Sequence, residues 1–148
     1  MFRSSSYHTI DQKGRVNIPI RFQDVIKASG GEGIMVSRMD SCLFAYTLSE
    51  WNKIENRILA TPEKSDYFRR FIRIFIGGAA ECNCDKQGRV LIPLPLRQYA
   101  QLEKEIVLVG VLTRFEIWSR ERWDKENELQ EEDRKDESFK KELSKVGL

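Results

Sequence analysis

Asp11-Gln12-Lys13-Gly14-Arg15-Val16-Asn17-Ile18-Pro19 is answered 74 positions later by Asp85-Lys86-Gln87-Gly88-Arg89-Val90-Leu91-Ile92-Pro93. Asp, Gly, Arg, Val, Ile and Pro recur in place, six of the nine positions. The separation is half of the 148-residue chain, so one small unit occurs twice and any surface the motif builds is presented twice. In each copy a polar turn around a Gly leads into alternating residues. Val16 and Ile18 fall on one strand face, Arg15 and Asn17 on the other. Gly14 and Gly88 suit a positive-φ position in the turn. Pro19 ends the strand and suits the first turn of a helix behind it.

The repetition extends outward from the motif. Ile20, Phe22, Val25 and Ile26 give an apolar helical face after the first copy, and Leu94, Leu96, Tyr99 and Ala100 stand at the same offset after the second. Farther on, Tyr46 and Trp51 are answered by Trp118 and Trp123, now at an offset of 72. The second copy has therefore lost two residues between motif and Trp, and a loop is the expected place. Repeat one is set at 1–76 and repeat two at 77–148. Residues 7–10 and 15–18 predict a β-hairpin, and 34–36 and 42–46 two more strands. Thr47-x-x-Glu50 predicts a capping box that opens a helix with Trp51, Ile54, Ile58 and Leu59 on one side. Past Pro62, Phe68, Phe71, Ile72, Phe75 and Ile76 make a helical stripe with Arg69, Arg70 and Arg73 off it. Gly77-Gly78 closes that helix. Repeat two follows the same order: a hairpin around Gly88, a helix over 95–102, strands over 105–111 and 114–118, and a helix from Ser119. The charged end reads as a surface helix with a frayed terminus.

A unit of about 70 residues struggles to bury enough apolar surface alone, so the two halves are expected to share a core, within the chain or with neighbouring chains. No apolar run approaches the ~20 residues that span a bilayer, and the first residues carry no secretory signal pattern, which points to the cytoplasm. Cys42, Cys82 and Cys84 are odd in number and agree with a reducing compartment. Cys82-x-Cys84 has the wrong spacing for a zinc knuckle, and the single His8 reads as structural or surface. No metal or other cofactor is expected. There is no phosphate-binding loop and no nucleophile–base set, so nothing in the chain argues for an enzyme or a small-molecule substrate. Net charge is +2, but it is unevenly spread. Residues 1–27 hold five bases against two acids, whereas 120–148 hold ten acids against eight bases. The basic excess gathers near the motif, where overall charge hides it.

The motif has two compatible readings. In the first, Asp11 and Asp85 cap turn amides and pair with the Arg of their own copy. Gly14 and Gly88 supply the backbone angle, and Val, Ile and Pro serve the core. In the second, Lys13 and Arg15, with Lys86 and Arg89, form two exposed basic turns held on one rigid body. Guanidinium forks bind phosphate and guanine edges, which suits duplex DNA.

Two Asp-x-x-Gly-Arg-Val-x-Ile-Pro motifs at this spacing resemble the MraZ family of bacterial transcriptional regulators, related to AbrB-type DNA-binding proteins. The resemblance also rests on Met1-Phe2-Arg3, Cys42-Leu43-Phe44 before Trp51, Leu94-Pro95-Leu96-Arg97-Gln98-Tyr99-Ala100, and Val107-Leu108-Val109-Gly110 leading to Phe115-Glu116-Ile117-Trp118. It covers residues 1 to about 123. It implies an α+β fold of two tandem AbrB-like, swapped-hairpin halves forming an internal pseudo-dimer with flanking helices. It further implies homo-oligomeric rings that bind repeated elements in the promoter of the division and cell-wall gene cluster, the chain's own gene included, usually as a repressor at the nucleoid. By position, the DNA-contacting residues become Arg15 and Arg89, with Lys13 and Lys86 in the turns and Arg3 as an extra phosphate contact. Ser4 and Gln101 stand where members often carry Gly. The rival expectation is a ring-forming scaffold or antitoxin-like binder that uses the fold without DNA.

Overall fold

The computed structural model describes residues 1–148. The first half runs β1 Ser5–Thr9, β2 Arg15–Asn17, α1 Ile20–Ala28, β3 Gly33–Met39, β4 Cys42–Thr47, α2 Leu48–Ala60 and α3 Asp66–Phe75. The second repeats that order as β5 Ala80–Asn83, β6 Arg89–Leu91, α4 Leu94–Ala100, β7 Glu105–Val111, β8 Arg114–Ser119, α5 Arg120–Asp133 and α6 Glu137–Ser144. The fold is α+β with antiparallel strand pairing. Local signals set the helix starts. Thr47 accepts a hydrogen bond from the Glu50 amide, Ser65 from that of Phe68 and Ser119 from that of Arg122, each at 3.2 Å. Pro19 and Pro93 immediately precede α1 and α4 with φ of −56° and −58°.

The two residues missing from the second copy are lost from a helix, not from a loop. α1 has nine residues and α4 has seven, while the connections to the next strand are equally long. α4 stops early because Gln101 takes the left-handed conformation, φ 53°, at its C-cap. α1 runs on to Ser29 and turns at Gly30, φ 94°.

The strand pairing departs from local expectation. A six-stranded sheet has the order β1-β7-β8-β4-β3-β5, and β2 and β6 form a separate two-stranded ribbon. Residues 7–10 and 15–18 therefore do not form a hairpin ladder. The turn between them does close, with the Gly14 amide on the Asp11 carbonyl at 3.0 Å and the Asp11 amide on the Arg15 carbonyl at 3.2 Å. The strands then part: β1 pairs with β7 and β2 with β6, both from the other half. β5 likewise pairs with β3. The exchange sets Val16 opposite Val90, each with no exposed surface, a burial that one half could not supply.

The six-stranded sheet is covered on both faces. One face presents Ile34, Val36, Leu43, Ala45, Leu108 and Ile117 to α1, α4 and the β2–β6 ribbon, in a cluster of 20 buried residues drawn from both halves. Phe2, Phe22 and Phe115 meet at its centre, with ring centroids 5.0–5.3 Å apart. The other face packs Phe44, Tyr46, Val107 and Trp118 against Trp51 of α2, Phe75 of α3 and Trp123 of α5. Ile20, Leu59 and Leu94 leave the apolar faces assigned from sequence, at 75%, 79% and 53% exposure. At roughly 100° per residue, Ile20 stands on the far side of α1 from Phe22, which together with Ile26 fixes the buried face. The charged end is not one frayed helix but two helices, α5 and α6, neither with a fully buried residue. No helix is long and apolar enough to cross a membrane.

Two outcomes follow from the exchanged strands and the shared core. Fragments 1–76 and 77–148, made separately, should show no cooperative thermal unfolding by circular dichroism. Phe115→Ala in the full chain should lower stability by about 3–5 kcal/mol in urea titration.

Candidate nucleic-acid interface

Each motif turn is organised by its Asp. The Asp11 Oδ1 accepts the amides of Lys13 at 3.0 Å and Arg15 at 2.8 Å, and its Oδ2 accepts the Arg15 Nε at 2.6 Å. Asp85 does the same for Gln87 at 2.9 Å, the Arg89 amide at 2.9 Å and the Arg89 Nε at 3.0 Å. The Arg15 amide, then its side chain, holds the Asp11 carboxyl below the usual carboxylate range, and Arg89 acts likewise on Asp85. Their contribution to stability is therefore fully present above the unfolded value of about 3.9 and fades as pH falls through the depressed folded value. Because Asp engages Nε, the two terminal nitrogens of each guanidinium are left to face a ligand.

The turns are locked to each other. The Ile18 amide donates to the Gly88 carbonyl and the Ile92 amide to the Gly14 carbonyl, both at 2.9 Å. Gly14 and Gly88 have φ of 92° and 75°. A Cβ at Gly14 would lie 2.5 Å from the Arg97 Nε and 2.8 Å from the Ile92 carbonyl oxygen, and one at Gly88 would lie 2.2 Å from the Gln23 Nε2. Gln23 of α1 donates to the Ile18 carbonyl at 2.7 Å and Arg97 of α4 to that of Ile92 at 2.9 Å. These two residues stand 74 positions apart and brace the strand ends, a role that sequence reasoning missed. The repeat offset pairs them, but Gln and Arg are unlike enough to hide the equivalence.

In the ribbon Arg15 faces Leu91, Val16 faces Val90 and Asn17 faces Arg89. The valines point to the core, so Arg15, Asn17, Arg89 and Leu91 share the outer face. Arg15 and Arg89 thus lie diagonally across one small platform, at a Cα spacing of about 7–8 Å for such neighbours. Lys13 and Lys86 are exposed at the two tips. Arg3 is not brought to this platform. It precedes β1, beside Gly110, while the turn leaves the strand's other end, roughly 20–25 Å away along an extended chain. Arg69, Arg70 and Arg73 lie on α3, across the sheet from the ribbon, and Arg69 pairs with Asp66.

His8 contacts the Ser6 Oγ through Nε2 at 2.7 Å, and burial, helped by Arg21, lowers its pKa. Burial pushes the Cys82 thiol up to about 11 and raises Cys42 as well, which leaves both poor nucleophiles at neutral pH.

Related sequences match both halves of the chain. A sequence profile described as "MraZ protein, putative antitoxin-like" matches residues 1–73 and again 75–144. The "Transcriptional regulator MraZ" of Desulforapulum autotrophicum is 56% identical over 148 residues, the full length of both chains. Its counterpart in Desulfosudis oleivorans is 51% identical, again over all of both. The chain belongs to the MraZ family. The MraZ protein of Carboxydothermus hydrogenoformans is 50% identical over 123 residues, 83% of this chain and 84% of its own length. That shorter match is close in extent to the sequence resemblance to the MraZ family.

The geometry of the turns gives a test by substitution. Gly30→Ala, with positive φ but open space around it, should cost about 1 kcal/mol in urea titration. Gly14→Ala adds contact with the Ile92 carbonyl and should cost at least about 2 kcal/mol. Equal costs would show that the turn is not locked to the opposite strand.

Proposed function

We propose that this chain is a transcriptional regulator that binds duplex DNA through the outer face of the β2–β6 ribbon. The observation that carries the reading is the pair of guanidinium groups on that face, each oriented by a carboxylate on Nε. A major groove about 12 Å wide admits a two-stranded ribbon, and oriented guanidinium forks suit phosphate or guanine O6 and N7. Lys13 and Lys86 at the tips add charge toward the flanking phosphates. Arg3, far from the ribbon, could reach the same duplex only beyond the groove that the ribbon occupies. The names of the full-length relatives support regulation of transcription.

The finer reading follows the family resemblance. The two repeats, 1–76 and 77–148, act as AbrB-like, swapped-hairpin halves of an internal pseudo-dimer, for which the exchange of β1 and β5 between halves is support. Copies assemble into a ring, which would cover the exposed Leu59, Tyr67 and Ile74 of α2 and α3. At the nucleoid the ring represses the division and cell-wall gene cluster by binding repeated elements in its promoter. The "antitoxin-like" part of the family description favours a second reading, a ring that binds protein and not DNA. Salt separates the two, because phosphate contacts weaken steeply as salt rises and a protein-only binder retains no DNA even at low salt.

Arg15→Ala and Arg89→Ala should each weaken binding to the chain's upstream DNA by about tenfold. The double variant should nearly abolish binding while its circular dichroism stays that of the parent. Electrophoretic mobility shift at graded salt measures this. A double variant that binds as tightly as the parent would contradict the assignment.

A further inference from the structure

The ribbon's outer face is built from two copies of one motif, yet it is not two-fold symmetric. Val16 and Val90 face each other at the centre of the ladder, so the local two-fold axis passes between them. That axis relates Arg15 to Arg89, and it relates Asn17 to Leu91. One end of the face therefore carries Arg89 beside Asn17, and the other carries Arg15 beside Leu91. Asn17 and Leu91 both lie outside the core, and Leu91 is 55% exposed. Packing does not choose between a carboxamide and an isobutyl group at these positions, because the buried layer beneath them is the same pair of valines. One exposed leucine is ordinary on a protein surface; what stands out is the unlike pair, Asn17 and Leu91, at two-fold related positions of an otherwise repeated face.

We propose that Asn17 and Leu91 give the bound DNA a direction. The chain reads an element without two-fold symmetry, and these two residues distinguish its ends. This rests on the ribbon being the DNA-binding face. Asn suits a base edge that offers an adjacent donor and acceptor, which in the major groove is adenine through N6 and N7. Leu offers no hydrogen bond and suits the C5 methyl of thymine. The arginines supply what the two ends have in common. The tips break the symmetry in the same sense, with Gln12-Lys13 in one turn and Lys86-Gln87 in the other, so the flanking charge is displaced by one residue between the ends.

The test is selection from a pool of random-sequence duplexes by the full chain, run in parallel with Leu91→Asn, Asn17→Leu and Asn17→Ala. Both positions are exposed, so thermal melts should superimpose on the parent. The parent should enrich an element with no two-fold symmetry. Leu91→Asn makes the two ends of the ladder alike, with only the order of Gln and Lys at the tips still unlike, and should enrich an inverted repeat of one half of that element, and Asn17→Leu an inverted repeat of the other half. Asn17→Ala should weaken binding to the parent's element about tenfold and leave random duplex within about twofold. A palindrome enriched by the parent would overturn the proposal, as would one element bound equally by the parent and Leu91→Asn. Failure of the parent to retain any duplex at low salt would remove the DNA-binding reading itself, an outcome distinct from either.

Discussion

The three-residue ladder between β2 and β6 is the constraint on which the rest of the molecule depends. It joins two segments 74 positions apart and places Val16 against Val90 in the shared core. Each strand end is tied into the opposite turn by the Ile18 and Ile92 amides. Those bonds fix the positions of Gly14 and Gly88, and through the Asp-centred turns they fix where the guanidinium groups stand. The α1 and α4 helices follow directly from the strands, so their packing on the large sheet is set by the same ladder. Two separate halves of this size would each be marginal, and the ladder joins them in a cluster of buried residues drawn from both.

The duplicated motif allowed much of this to be read from sequence. Asp, Gly and Arg at fixed offsets predicted the turns, and the structure gives Asp11 and Asp85 the same three hydrogen bonds each. Thr47 and Ser119 are local signals and mark helix starts. What sequence could not show is which strand pairs with which. Residues 7–10 and 15–18 have the alternation of a hairpin, and alternation says which face is buried without naming the partner. The turn was legible because its bonds are local; the ladders were not, because every one that holds β1 and β2 is made with the other half. The same limit explains Ile20 and Leu59, whose apolar character suggested burial although the helix faces were set by neighbours. It also bears on Arg3, which the family resemblance offers as an extra phosphate contact and the strand geometry sets apart from the ribbon.

The structure divides labour between the two faces of its large sheet. The ribbon, with its oriented arginines, lies on one side. The aromatic cluster of α2, α3 and α5 lies on the other, together with Arg69, Arg70 and Arg73. Duplication has been used unequally on the two sides. On the ribbon side the strands and turns remain nearly equivalent, although α4 is shorter than α1 and buries Leu96 and Ala100 where α1 buries Phe22 and Ile26. On the far side they have diverged: α3 buries Phe75, whereas α5 and α6 have no fully buried residue. The ribbon keeps its paired strands and arginines, and the outer helices are free to serve a different surface.

Photo-crosslinking to duplex DNA tests the central claim that the ribbon's outer face meets the nucleic acid. Benzoylphenylalanine is placed in separate chains at Leu91, on that face, and at Tyr67, which is 77% exposed on α3 across the sheet. Irradiation with upstream duplex at low salt should yield a protein–DNA adduct from the Leu91 position and none from Tyr67, with the Leu91 adduct lost in the Arg15→Ala, Arg89→Ala background. Adducts from Tyr67 with none from Leu91 would place DNA on the opposite side of the molecule and contradict the account.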